Sequence, residues 1–177
     1  MDVNLYTTTF NNEAVIQQFI DFYKQRIPNI RIYIHDMNST DDTVQILKDN
    51  NCTVRNFSDF FTTKNDWKNG CWKILPCDCA IICNINEFID IEPDVFGNCT
   101  LIRTDGYDIT DLTNLTQKQR NINFDKYCIF DPRVIKNMNF EGGQCSPDGF
   151  VRIGEKNPKL YHLTKLKKDD NISGTNV

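Results

Sequence analysis

Three apolar runs in this chain stop at clusters of polar side chains. Polar groups gathered beyond strand ends are what an α/β fold uses to hold a ligand by hydrogen bonds and charge. The run "CAIICNI" gives way to Asn84, Asn86 and Glu87, "IRIYIHD" ends on Asp36 and is followed by Asn38, Ser39, Asp41 and Asp42, and "VNLYTTTF" is followed by Asn12 and Glu13. A second kind of chemistry is offered by "CDCAIIC", where Cys77, Cys79 and Cys83 invite a zinc reading. In a strand, however, residues two apart share a face, so Cys79 and Cys83 point the same way among apolar neighbours, and no second Cys/His pair at zinc spacing accompanies them. These cysteines read as buried free thiols.

The elements that must position the polar clusters follow from periodicity. "VNLYTTTF" is a β-branched and aromatic run that fits a first strand. Val15, Ile16, Phe19, Ile20, Tyr23 and Ile27 then recur at three- and four-residue steps, which predicts a helix with one apolar stripe ending before Pro28. Ile30, Ile32 and Ile34 alternate with Arg31, Tyr33 and His35, the period of a second strand. In "MNSTDDTVQILKDNN" Ser39 is a candidate N-cap with Asp42 three residues on. "CTVRNF" is a short third strand, "DWKNGCWKIL" a possible helix, and "CAIICNI" a strand buried on both faces.

Strands alternating with helices predict right-handed crossovers and a mainly parallel sheet with helices on both faces. That topology places Asn12, Glu13, Asp36, Asn38, Asn84, Asn86 and Glu87 on one rim. The second half is harder to read. "CTLIRTDGYDI" and "KYCIFDP" resemble strands, "TDLTNLTQKQRNINF" a polar, mobile insertion, "EGGQCSPDG" a loop, and "KLYHLTKL" a closing strand.

At 177 residues the chain fits one domain, expected over 1–165 with a polar tail over 166–177. A hydrophobic fraction of 40%, with twelve Phe and six Tyr, requires a folded core. Twenty Lys and Arg against 24 Asp and Glu leave a formal charge of −4, and no basic stripe is long enough to track phosphates, so nucleic acid is not an expected partner. The cluster Lys165, Lys167 and Lys168 runs directly into Asp169 and Asp170 and reads as a solvated tail. No apolar stretch has the length of a membrane span, and "MDVNLYTTTF" lacks the pattern of a signal peptide, so a cytoplasmic protein is expected.

In order and spacing, "NNEAVIQQFIDFYKQRIPNIRIYIHDMNSTDDTVQIL", "NGCWKILPCDCAIICNINEFIDI", "DKYCIFDPRVIKNMNF" and "GGQCSPDGFVRIGEKNPKLYHLTKL" resemble the GT-A glycosyltransferases, specifically the family-2-like group of bacteria and large DNA viruses. The family's Asp-x-x-Ser-x-Asp signature stands here as Asp36, Ser39 and Asp41. The resemblance implies a GT-A fold and transfer of a sugar from a nucleotide-sugar to a glycan or protein acceptor. It also implies that Asn12, Glu13, Asp36, Asn38, Lys73 and Asn84 face the donor, and that Asn86, Glu87 and His162 hold Mn²⁺ or Mg²⁺ on the diphosphate. Asp148 is implied as the base taking the acceptor proton. Each has a bland counterpart: Asp148 as a Pro-Asp-Gly turn former, His162 as an ordinary strand histidine, and Lys73 as a solvated lysine.

The family's Asp-x-Asp-Glu is Asn84-Ile85-Asn86-Glu87 here, and Gln144 stands where relatives commonly carry His. An amide oxygen offers a cation a dipole instead of a charge, so cation affinity is expected to fall. The alternative expectation is a degenerate GT-A domain that binds a nucleotide-sugar, a glycan or a protein without turnover. Another domain or subunit is a possible further partner.

Overall fold

The computed structural model describes residues 1–56, 63–92, 95, 100–140, 146–147 and 157–164. Asp148, Gln144 and the tail expected over 166–177 lie outside these residues. The chain begins with β1 (Val3–Thr9), α1 (Glu13–Arg26), β2 (Arg31–Asp36), α2 (Thr43–Asp49), β3 (Thr53–Asn56) and α3 (Lys64–Gly70), which runs into a 3₁₀ turn at Cys71–Lys73. It continues with β4 (Cys79–Ile82), β5 (Glu87–Asp90), β6 (Leu101–Ile109), β7 (Lys118–Arg120), a 3₁₀ turn at Ile122–Phe124, β8 (Lys126–Phe130), β9 (Met138–Asn139), β10 (Ser146–Pro147) and β11 (Lys159–Leu163).

The large sheet has the order β3-β2-β1-β4-β8-β6-β11-β5, with β7 beside β6, while β9 and β10 form a separate pair. The β3-β2-β1-β4 block is parallel, as the strand-helix alternation predicts. β8 then runs against β4 and β6, β11 runs with β6, and β5 runs against β11. β6 is used twice. Its residues Leu101–Thr104 pair with β8, with a register slip at Ile102/Arg103, and its residues Asp105–Ile109 pair with β11.

Two apolar clusters cover the two faces. Leu5, Cys79, Ile81 and Cys83 pack with Ile16, Phe19, Ile20 and Tyr23 of α1, and Leu47 of α2 joins the same cluster. Tyr6, Ala80 and Ile82 point the other way, against Trp67, Cys71 and Trp72 of α3 and its 3₁₀ extension. This alternation along β1 and β4 is the two-residue period of a strand buried on both faces. Cys52, Cys71, Cys77, Cys79, Cys83 and Cys128 are all buried free thiols. Burial pushes the Cys77 thiol up to about 11.

Two expectations change. Ser39 does not cap α2, which starts at Thr43 with Asp42 as N-cap, because the Ser39 hydroxyl is donated to Asp36 instead. The stretch expected to be a mobile insertion contains β7 and the Ile122–Phe124 turn, held by Arg120 and Arg103 on Asp125. "KLYHL" is the last strand of the chain, as expected, and lies inside the sheet, hydrogen-bonded by β6 on one side and β5 on the other. Among the described residues no helix is long and apolar enough to cross a membrane.

Candidate functional site

The carboxyl ends of β1, β2 and β4 share one edge of the sheet because these strands are parallel neighbours. At the end of β2, Asp36 is 2% exposed. Its carboxylate accepts the Ser39 hydroxyl at 2.5 Å and the Ser39 N–H at 3.0 Å. Ser39 Oγ in turn accepts the Asn11 N–H at 2.9 Å, which ties the β2 turn to the β1 turn. Asn11 and Asn38 both take left-handed backbone conformations (φ 49° and 65°), which Asn tolerates better than most residues. Asn38 remains exposed on the rim.

Asn12 and Glu13 are used within the protein. The Asn12 amide donates to Thr9 Oγ1 and the Phe10 carbonyl, and Glu13 Oε2 accepts the Asp42 N–H. Reciprocally, Asp41 Oδ2 accepts the Glu13 N–H. These bonds join the starts of α1 and α2 and so fix the spacing of the two turns.

The turn after β4 is built around a buried charge network. Glu87 is 1% exposed, and its carboxylate accepts the Asn84 N–H at 2.6 Å, the Asn84 amide at 3.0 Å, and the ammonium of Lys126. The Tyr23 hydroxyl, donating to the Glu87 carbonyl and accepting the Ile89 N–H, pins the start of β5 from α1. Asn84 Oδ1 accepts Lys68 Nζ at 2.7 Å. Burial by itself would raise the Glu87 carboxyl, but Lys126, the Asn84 N–H and Lys68 outweigh it and hold the group below its ordinary value. Lys126 is drawn down by burial and pushed up more strongly by Glu87, so it stays charged. Burial, then the nearby Lys126 and Lys64, bring Lys68 down to about 8.

His162 sits one strand over, opposite Glu87 on β5 and Asp108 on β6. Its Nδ1 lies 3.0 Å from Asp108 Oδ1 and its Nε2 2.9 Å from Asn86 Nδ2. An ionised Asp108 accepts from Nδ1–H, which leaves Nε2 with the lone pair that accepts the Asn86 amide. The ring stacks on Phe124 with centroids 3.9 Å apart. His162 is therefore an oriented histidine with both nitrogens engaged.

The expected cation ligands are not assembled as a set. Asn86 and His162 meet, but through an amide N–H that occupies the imidazole lone pair a metal would take. Glu87 turns away to Lys126, and both of its oxygens accept hydrogen bonds. Among the described residues no three His, Cys, Asp or Glu side chains are grouped to hold a metal ion. With two ammonium groups already at the turn, these residues do not fit Mn²⁺ or Mg²⁺.

Lys73 also departs from expectation. It is exposed, donates to Asn137 Oδ1, and lines a groove of about 610 Å³ with Asp2, Arg31 and Asp78, residues at the amino ends of β1, β2 and β4. That is the opposite end of the parallel block from the rim. The lysine that reaches the Asn84 turn is Lys68, whose place on α3 beside Trp67 and Cys71 is too weak a sign to distinguish it from a solvated lysine in the sequence. Lys126, Asp108 and Phe124 were also unforeseen as site residues.

No protein-family model matches the sequence, and no curated protein is similar to it. Solved structures are. S. aureus TarS superposes with a TM-score of 0.62 at 13% identity, over 93% of this chain and 37% of that one. The fold is GT-A. TarS 1-349 in complex with UDP gives 0.62 at 13% identity over 93% of this chain and 61% of that one. TarS 1-349 in complex with UDP-GlcNAc gives 0.62 at 11% identity, covering 99% and 62%. The chain thus spans less than two thirds of the length of these proteins.

Proposed function

We propose that this GT-A domain binds a nucleotide-sugar on the rim formed by the ends of β1, β2 and β4 and transfers the sugar to an acceptor hydroxyl. The observation that carries this reading is the convergence of the Asp36–Ser39 turn and the Asn84–Glu87 turn at one end of the parallel block, where such sheets hold their ligands. The superposition with TarS in complex with UDP supports it.

In this reading the turn at Asp36, Asn38 and Ser39 receives the nucleoside, and the Asn84 turn faces the diphosphate. The acceptor oxygen forms a bond to the sugar C1 as the bond from C1 to the phosphate oxygen breaks, and that electron pair leaves on the nucleoside diphosphate. The acceptor proton passes to a carboxylate, for which Asp148 is the candidate. The acceptor is a glycan or a protein hydroxyl, and a further domain or partner subunit contributes to holding it.

A second reading, binding without turnover, is favoured by one observation: the carboxylate at the turn, Glu87, is buried against Lys126. The test is the melting temperature of the purified chain with UDP, GDP and their sugars, followed by donor hydrolysis and transfer assays with whichever donor raises it. A donor-specific rise with turnover supports the transferase, and a rise without turnover supports the binding module. No rise at millimolar donor overturns both.

A further inference from the structure

The charges around Asn84 do not balance. Lys68 comes from α3, Lys126 from β8 and Glu87 from β5, so two ammonium groups meet at this turn with one carboxylate. Glu87 is taken by Lys126. Lys68 is 6% exposed, and its ammonium donates to the neutral Asn84 Oδ1. A buried ammonium that must share its nearby carboxylate with a second ammonium is costly, and the cost is relieved when a further anion arrives.

The turn that Lys68 reaches is the part of the rim assigned above to the diphosphate, and Asn84, Ile85 and Asn86 there remain partly exposed. In this chain the turn offers amides where a cation would need carboxylates. A leaving diphosphate needs positive charge beside it whether a metal or a side chain supplies that charge.

We infer that Lys68 supplies the positive charge for the donor diphosphate, so that nucleotide binding and departure at this site are independent of divalent cations. The inference rests on the nucleotide-sugar reading and specifies how this chain carries it out. Asn84 holds the ammonium at the turn, the Glu87–Lys126 pair holds Asn84 by its N–H and its amide, and an incoming phosphate oxygen provides the missing negative partner. The bond to the phosphate is charge-assisted, the stronger class of hydrogen bond.

The test is titration calorimetry of the wild-type chain with UDP and with GDP, each in EDTA and in Mn²⁺, with uridine and guanosine as phosphate-free controls. Binding of one diphosphate in EDTA, within a few-fold of its affinity in Mn²⁺, supports the inference. The Lys68→Met variant should then bind that diphosphate about ten- to a hundredfold more weakly, the size of one charged hydrogen bond, with its nucleoside control unchanged. Lys68→Arg should keep most of the affinity. Binding that appears only with Mn²⁺ overturns the inference and leaves the transferase reading standing. Absence of binding under every condition overturns that reading, and the inference with it. Should Lys68→Met fail to fold, the wild-type comparison of EDTA with Mn²⁺ still decides.

Discussion

Lys126 and Glu87 form an ion pair in which the two side chains keep only 4% and 1% of their surface exposed. Removing one partner leaves the other charge buried, which typically costs about 3–5 kcal/mol. Glu87→Gln and Lys126→Met should each lower stability by that order in urea denaturation. The double variant should be more stable than either single one. Additive losses would show that the two groups do not depend on each other. Because Glu87 is held below its ordinary value of 4.5, its contribution is full above that pH and is lost as the pH falls further.

The ammonium of Lys68 should also be visible in alkaline titrations. It faces Lys64 on its own helix, Lys126 on β8, Glu87 on β5 and Cys83 at the end of β4. Its value near 8 in the folded chain lies below the ordinary 10.5, so between these values the native state binds fewer protons than the unfolded one. Stability from this group therefore rises across that window. Affinity for UDP in EDTA should move the other way, falling as the pH passes about 8. The diphosphate itself has already lost its last proton, since a phosphate's second pKa is about 6. A flat affinity between pH 7 and 10 would contradict this.

Gly106 permits a close approach. A Cβ built there would lie 2.5 Å from Phe124 Cβ and 2.6 Å from the Asn121 carbonyl. Gly106→Ala should lower stability by about 1–3 kcal/mol, the usual cost of overpacking. By shifting Phe124 it should also loosen the ring stacked on His162. A melting curve and the His162 proton resonances would report both effects.

Asn86→Asp replaces the N–H that faces His162 Nε2 with an acceptor oxygen. Two lone pairs then face each other and a cation can bridge them. Addition of Mn²⁺ should raise the melting temperature of Asn86→Asp more than that of the wild type. An equal response in both proteins would refute this.

Much of the first half was legible because its elements announce themselves by period. The Ile30, Ile32 and Ile34 alternation is β2, and the Ile16, Phe19, Ile20 and Tyr23 stripe is the buried face of α1. From these the rim followed by topology. The site's electrostatics did not, because a lysine in "TTKNDWKNG" looks solvated unless it is known that Trp67 stacks on His35 and turns α3 onto the sheet. Asp36 and Ser39 stand together in the family signature, but Ser39 also reads as a helix cap, and the sequence does not say which use it serves, since both need the same spacing of polar groups. The second half resisted reading because β7 is three residues long and polar, and its pairing with β6 is set by Arg120 reaching Asp125 and the Gly106 carbonyl, not by an apolar pattern.

β6 serves both halves of the large sheet, with Thr104 beside Lys126 and Asp108 beside His162. The Lys126–Glu87 pair and the His162–Asp108 pair are thus mounted on a single beam, four residues apart. Thr104 lies in the ladder with β8 and Asp108 in the ladder with β11, so the two stations flank the point where β6 changes partners. Both pairs are therefore positioned by one short length of strand, and a change in its course reaches the two together.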